Sequence, residues 1–138
     1  NEERLEQAAE KCLNDGHIYE AIKGFIALNN PEKLNKIGDY CLERNNFEFA
    51  IEIFSAINNA EKLIKTGELA KKHNQLDVAL KAFDAARNKP KLNSIGDEFL
   101  KRGIINQALS AYKKADNQVM IKFFEENFKE TDSKKHYI

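Results

Sequence analysis

LNKIGDYCLERNNFEFAIEIFSAINNAEK, residues 34–62, returns in altered form three more times along this 138-residue chain. Unit starts at Leu5, Leu34, Leu63 and Leu92 give a constant period of 29 residues, and four tandem copies occupy residues 5–120. A repeat this short cannot bury its own apolar face and must stack on its neighbours, which makes the array an extended surface rather than a closed core. Such a surface is suited to presenting side chains to another molecule.

Each unit divides into two helices. In the second unit the first helix carries Leu34, Ile37, Cys41 and Leu42, and the next carries Phe47, Ala50, Ile51, Phe54 and Ile57. Both sets follow the 3.6-residue period of a helix with one buried stripe. Gly16, Asn45, Asn74 and Gly103 fall where the first helix of each unit must stop, and these are the residue types that accept the left-handed conformation of a helix end. The other boundary carries Asn1, Asn30, Asn59, Asn88 and Asn117, one per period. Asparagine caps a helix N-terminus by accepting from free backbone N–H groups, Pro31 suits the first helical position, and Glu3, Glu32 and Glu61 suit the positive end of the helix dipole. The pattern predicts helices over 2–14, 18–28, 31–43, 47–57, 60–72, 76–86, 89–101, 105–115 and 118–129.

Small residues recur at fixed places. Ala21, Ala50, Ala79 and Ala108 mark the second helices, and Ala9, Gly38, Gly67 and Gly96 mark the first. Glycine inside a helix costs up to about 1 kcal/mol relative to alanine, so its recurrence implies close helix contact there. Phe25, Phe54, Phe83 and Tyr112 supply the bulk beside it.

The interval of twelve from Gly38 to Ala50 and of four from Ala50 to Phe54, repeated at Gly67, Ala79 and Phe83 and at Gly96, Ala108 and Tyr112, resembles the tetratricopeptide repeat. The resemblance covers nearly the whole chain. It departs in length, because that family's unit is usually ~34 residues, and the shortened connection is similar to repeats in the α-solenoids of coat and intraflagellar-transport proteins. It implies an all-α, right-handed α-solenoid of about four antiparallel hairpins, with units 1–29, 30–58, 59–87 and 88–116. A capping helix over 117–129 and a flexible tail over 130–138 complete this division.

Lys plus Arg and Asp plus Glu number 22 each, so no bulk field favours nucleic acid, and only local charge patterns carry information. No run approaches the ~18 apolar residues of a membrane helix, so neither membrane insertion nor a nucleic-acid partner is expected. The N-terminal residues lack the basic-then-apolar order of a signal peptide, and the chain reads as cytoplasmic. Beginning with Asn at a repeat boundary, it reads as a segment of a longer protein. Cys12 and Cys41 occupy one column in neighbouring repeats and read as reduced core residues.

No phosphate loop, zincin pair or Cys/His ligand cluster is present, and His17, His73 and His136 stand apart, so no catalytic residue, metal or cofactor is expected. The informative features are columns. Glu10, Asp39, Glu68, Asp97 and Glu126 follow the glycine position in successive first helices. Packed helices lie ~8–10 Å apart, which makes this an acidic ladder. By resemblance it lines a concave groove that would take a basic peptide or protein segment. Arg4, Lys33, Lys62 and Lys91 form a cationic column assigned a structural role, capping the carbonyls of preceding helices. The family's carboxylate-gripping residues are not matched, since Glu6, Asn35, Ile64 and Asn93 stand there. Asn35 and Asn93 remain candidate contacts, as do the off-core pair Tyr40 and Leu69. Phe49 with Val78, and Phe123, are further off-core apolar residues. A scaffold segment that associates through exposed solenoid ends is the competing reading.

Overall fold

In the computed structural model, residues 1–135 are described, with side chains described through Phe128. The described chain is all-helical. Its elements are α1 (Glu2–Asn14), α2 (Ile18–Ala27), α3 (Pro31–Glu43), α4 (Phe47–Ala56), α5 (Ala60–Lys72), α6 (Leu76–Ala85), α7 (Lys89–Lys101), α8 (Ile105–Lys114) and α9 (Gln118–Lys135). The first eight begin and end within one residue of the spans expected from periodicity. The last does not, because α9 continues to Lys135, past the expected end of the capping helix at 129. Residues 136–138, the end of the expected tail, lie outside the described residues. No described helix is long and apolar enough to cross a membrane.

The chain divides into two compact units at Ala86 and Arg87, the junction between the third and fourth repeats. The first unit holds three hairpins, α1 with α2, α3 with α4 and α5 with α6, joined in sequence by α2 on α3 and α4 on α5. Its second helices, α2, α4 and α6, also approach one another in succession. The first helices make no comparable backbone approach and are linked by side chains. In the second unit α8 packs on both α7 and α9.

Helix ends follow one local rule. Gly16, Asn45, Asn74 and Gly103 adopt the positive φ expected of them, and so do Asn29, Asn58, Arg87 and Asp116, which close the second helices. After seven of these eight residues the next N–H turns back onto the helix just ended, as in Asn46 N–H to the Cys41 carbonyl at 2.8 Å and Asn59 N–H to the Phe54 carbonyl at 2.9 Å. All five period-marking asparagines then cap the following helix. The Asn30, Asn59 and Asn88 side-chain oxygens accept from Lys33, Lys62 and Lys91 N–H at 3.1, 3.1 and 3.0 Å. Asn1 accepts from Glu3 and Arg4 N–H, and Asn117 from Met120 N–H. The second helices have no side-chain cap.

Inside the second, third and fourth hairpins an aromatic ring lies against a glycine. A Cβ on Gly38 would stand 2.5 Å from Phe54 Cζ, and one on Gly96 would stand 2.9 Å from Tyr112 Cε1. The ring of Phe83 meets Gly67 in the same manner. Hairpin one reverses the arrangement: Ala9 occupies the glycine column, and a Cβ on Gly24 of the facing helix would meet Ala9 Cβ at 2.7 Å. One small residue per hairpin is therefore required, but either helix can supply it. Among the described residues the core is built of apolar and aromatic side chains, and buried Thr66 donates its hydroxyl to the Lys62 carbonyl at 2.7 Å.

Gly38→Ala is expected to destabilise the fold by about 1–3 kcal/mol, the cost of overpacking a filled core, despite the better helix propensity of alanine. Urea denaturation checks this, and Phe54→Leu in the same chain is expected to recover part of the loss.

Candidate functional site

The acidic column stands on the first helices of the hairpins, where Gly38, Gly67 and Gly96, just before three of the acids, turn their own face inward onto the second helix. Glu10, Asp39 and Glu68 lie on α1, α3 and α5 of the first unit, and Asp97 and Glu126 lie on α7 and α9 of the second. Two cations of the opposite column, Lys33 and Lys62, meet these acids instead of capping helix carbonyls. Lys33 Nζ reaches Glu10 Oε1 at 3.0 Å, and Lys62 Nζ reaches Asp39 Oδ1 at 2.6 Å. Each pair crosses from one hairpin to the next, with the lysine projecting from the first turn of the later helix. The two carboxylates remain 39% and 41% exposed, so each pair contributes only about 0.2–1 kcal/mol. Their effect on the surface is larger than their effect on stability, because each bridge cancels a negative charge.

Asp97 has a different partner. The Tyr112 hydroxyl donates to Asp97 Oδ1 at 2.6 Å, so the one tyrosine in a column of phenylalanines is satisfied by the acid beside the glycine it covers. Burial, followed by this bond and the carboxylate charge, holds the Tyr112 phenol well above its usual titration range. Sequence reading missed this contact. Its only signal was a hydroxyl added to a buried column.

Asn35 and Asn93, read as candidate contacts, are engaged within the fold. Asn59 Nδ2 donates to Asn35 Oδ1 at 3.5 Å, and Asn117 Nδ2 donates to Asn93 Oδ1 at 2.9 Å. Each thus ties a first helix to the cap of the following one. Tyr40 is 43% exposed, with the Arg44 guanidinium 4.8 Å above its ring, and Leu69 is half-buried. Phe49 pairs with Tyr19 at 6.2 Å between ring centroids, and Lys23 Nζ lies 4.2 Å over Tyr19. That aromatic pair of exposed Tyr19 on α2 and half-buried Phe49 on α4 was not anticipated, because its members occupy different columns. Phe123 is exposed on α9 and contacts Phe124 and Phe128 edge-on.

On α1 the acids Glu3, Glu6 and Glu10 line a shallow depression of about 540 Å³. Lys11 reaches Asp15 at 3.1 Å at its end. Of the histidines, His17 precedes α2, His73 packs on Phe47 at 5.7 Å, and His136 lies outside the described residues. Among the described residues no three His, Cys, Asp or Glu side chains converge as metal ligands would. Cys41 is fully buried, and that burial pushes its thiol up to about 11; Cys12 is half-buried, and both are free. No protein-family model matches the chain, and no curated protein matches it.

Two measurements follow from these environments. The folded Cys41 thiol keeps its proton to about pH 11, whereas an unfolded thiol loses it near about 8.5. Folding stability from this group is therefore complete below the unfolded value and is lost as pH rises between the two, so urea midpoints should fall across that interval and recover part of the fall in Cys41→Ala. Tyr112→Phe is expected to cost about 1 kcal/mol, since it removes one hydrogen bond while exposed Asp97 regains water; chemical denaturation at neutral pH measures it.

Proposed function

We propose that the chain is a tetratricopeptide-like, non-catalytic protein–protein interaction module that binds a peptide or protein segment across its first-helix face. The observation that carries this reading is the half-exposed acidic column of α1 and α3, continued on α1 by the depression lined by Glu3, Glu6 and Glu10. Carboxylates that keep about two-fifths of their surface in water can exchange a lysine of their own chain for a lysine or arginine of a partner at little net cost. A basic segment is therefore the preferred ligand. Because Lys33 and Lys62 already occupy two of these acids, the preference is weaker than that of bare carboxylates, and binding is expected to be salt-sensitive.

A second reading, a scaffold segment of a longer helical array, draws on the same ion pairs, which stitch one hairpin to the next whether or not a ligand is present. The two readings separate on one experiment. Asp39→Lys combined with Glu68→Lys should remove basic partners from a pull-down while leaving the circular dichroism of the chain unchanged. An unchanged partner set would sink the acidic-face reading and leave the scaffold.

A further inference from the structure

A groove of about 490 Å³ opens in the first unit between the α1–α2 turn and α3, walled by Leu13, Ile18, Ile37 and Tyr40 with Lys33 and Lys36 beside them. The repeat supplies an internal standard for what belongs there. At the next junction, 29 residues on, the place of Ile18 is taken by Phe47, and that of Leu13 by Leu42. Phe47 is 2% exposed and lies against His73, and Leu42 is buried as well. At the first junction Ile18 and Leu13 are only half-buried. Arg44, at the repeat position of His73, lies over Tyr40 and does not close the space. The place that Phe47 fills at the second junction is thus left to a smaller side chain at the first, with apolar walls already built.

The rim is cationic. Lys33 is committed to Glu10, but Lys36 is 73% exposed, and its ion pair with the still more exposed Glu32 is 3.9 Å long. From these observations we infer that the groove is a docking site for a partner segment carrying a bulky aromatic side chain beside an acidic residue. The ring occupies the space between Ile18, Ile37 and Tyr40, where it extends the packing that Phe47 makes in the neighbouring repeat, and the carboxylate reaches Lys36 Nζ. The volume admits one aromatic side chain with the backbone that carries it and lies within the range of ligand sites. This inference rests on the reading of the chain as a protein-binding module, and it adds a site that the acidic column does not use.

The test uses the full chain, labelled with nitrogen-15, and the probe peptide acetyl-Gly-Phe-Asp-Gly-amide followed by amide chemical shifts. Two control peptides replace Phe by Ala or Asp by Lys. Perturbations are expected at residues 13–18 and 33–40, with affinity roughly tenfold lower for the Ala control, as loss of a buried ring requires. The Lys control should be weaker by about two- to fivefold. Ile18→Phe, which copies the second junction, should reduce binding to the level of the Ala control while the melting temperature holds or rises, and Lys36→Glu should reverse the preference between the Asp and Lys peptides. Equal response to all three peptides, shifts confined to other residues, no shift at millimolar peptide, or full affinity in Ile18→Phe would each overturn the site. If the site fails while Asp39→Lys with Glu68→Lys still alters the captured partners, the groove alone is wrong. If both fail, the module reading falls with it.

Discussion

The asparagine that opens each hairpin caps the helix it begins, and at Asn59 and Asn117 three jobs coincide in one residue. Its backbone N–H closes the preceding helix, as Asn59 does on the Phe54 carbonyl, and its side-chain oxygen opens the next, as on Lys62 N–H. Its side-chain amide also reaches back to the first helix of the preceding hairpin, from Asn59 to Asn35 and from Asn117 to Asn93. Other capping residues satisfy only the second requirement, since serine and aspartate have no amide to donate. The residue before it must adopt a left-handed conformation, and Asn29, Asn58, Arg87 and Asp116 do so in every hairpin. A β-branched residue there would strain the turn.

This explains why helix positions were legible in the sequence and the surface was not. A cap is decided within three residues and a helix stripe within eight, so Asn30, Asn59 and the Leu34–Ile37–Cys41 stripe announce themselves. The pairing of Lys33 with Glu10 depends on the register between hairpins, and both columns are visible without revealing that they meet. Arg87 carries no sign of its positive φ, and nothing in the run after Phe128 marks a helix that continues to Lys135. The contact of Tyr19 with Phe49 escaped notice because a search by column compares residues one period apart, whereas these are brought together diagonally across two helices.

On the proposed reading of the acidic face as a binding surface, the ion pairs also set what it would recognise. A ladder of bare carboxylates would attract any cation. A ladder in which Lys33 and Lys62 already sit on Glu10 and Asp39 admits a partner only by exchange, and exchange favours groups that bind a carboxylate better than a lysine does. A guanidinium, with two parallel donors, meets that condition. Selectivity then comes from the lysines as much as from the acids.

The first hairpin places its small residue on the opposite helix from the others, Gly24 facing Ala9 in place of a first-helix glycine facing a ring. The repeats are therefore not interchangeable parts. A recombination that joined α1 to a later second helix would drive the Ala9 methyl into an aromatic ring. Duplication or loss of whole hairpins preserves each matched pair, whereas exchange of single helices does not. The hairpin, and not the helix, is the unit in which this array can grow, shrink or be rebuilt.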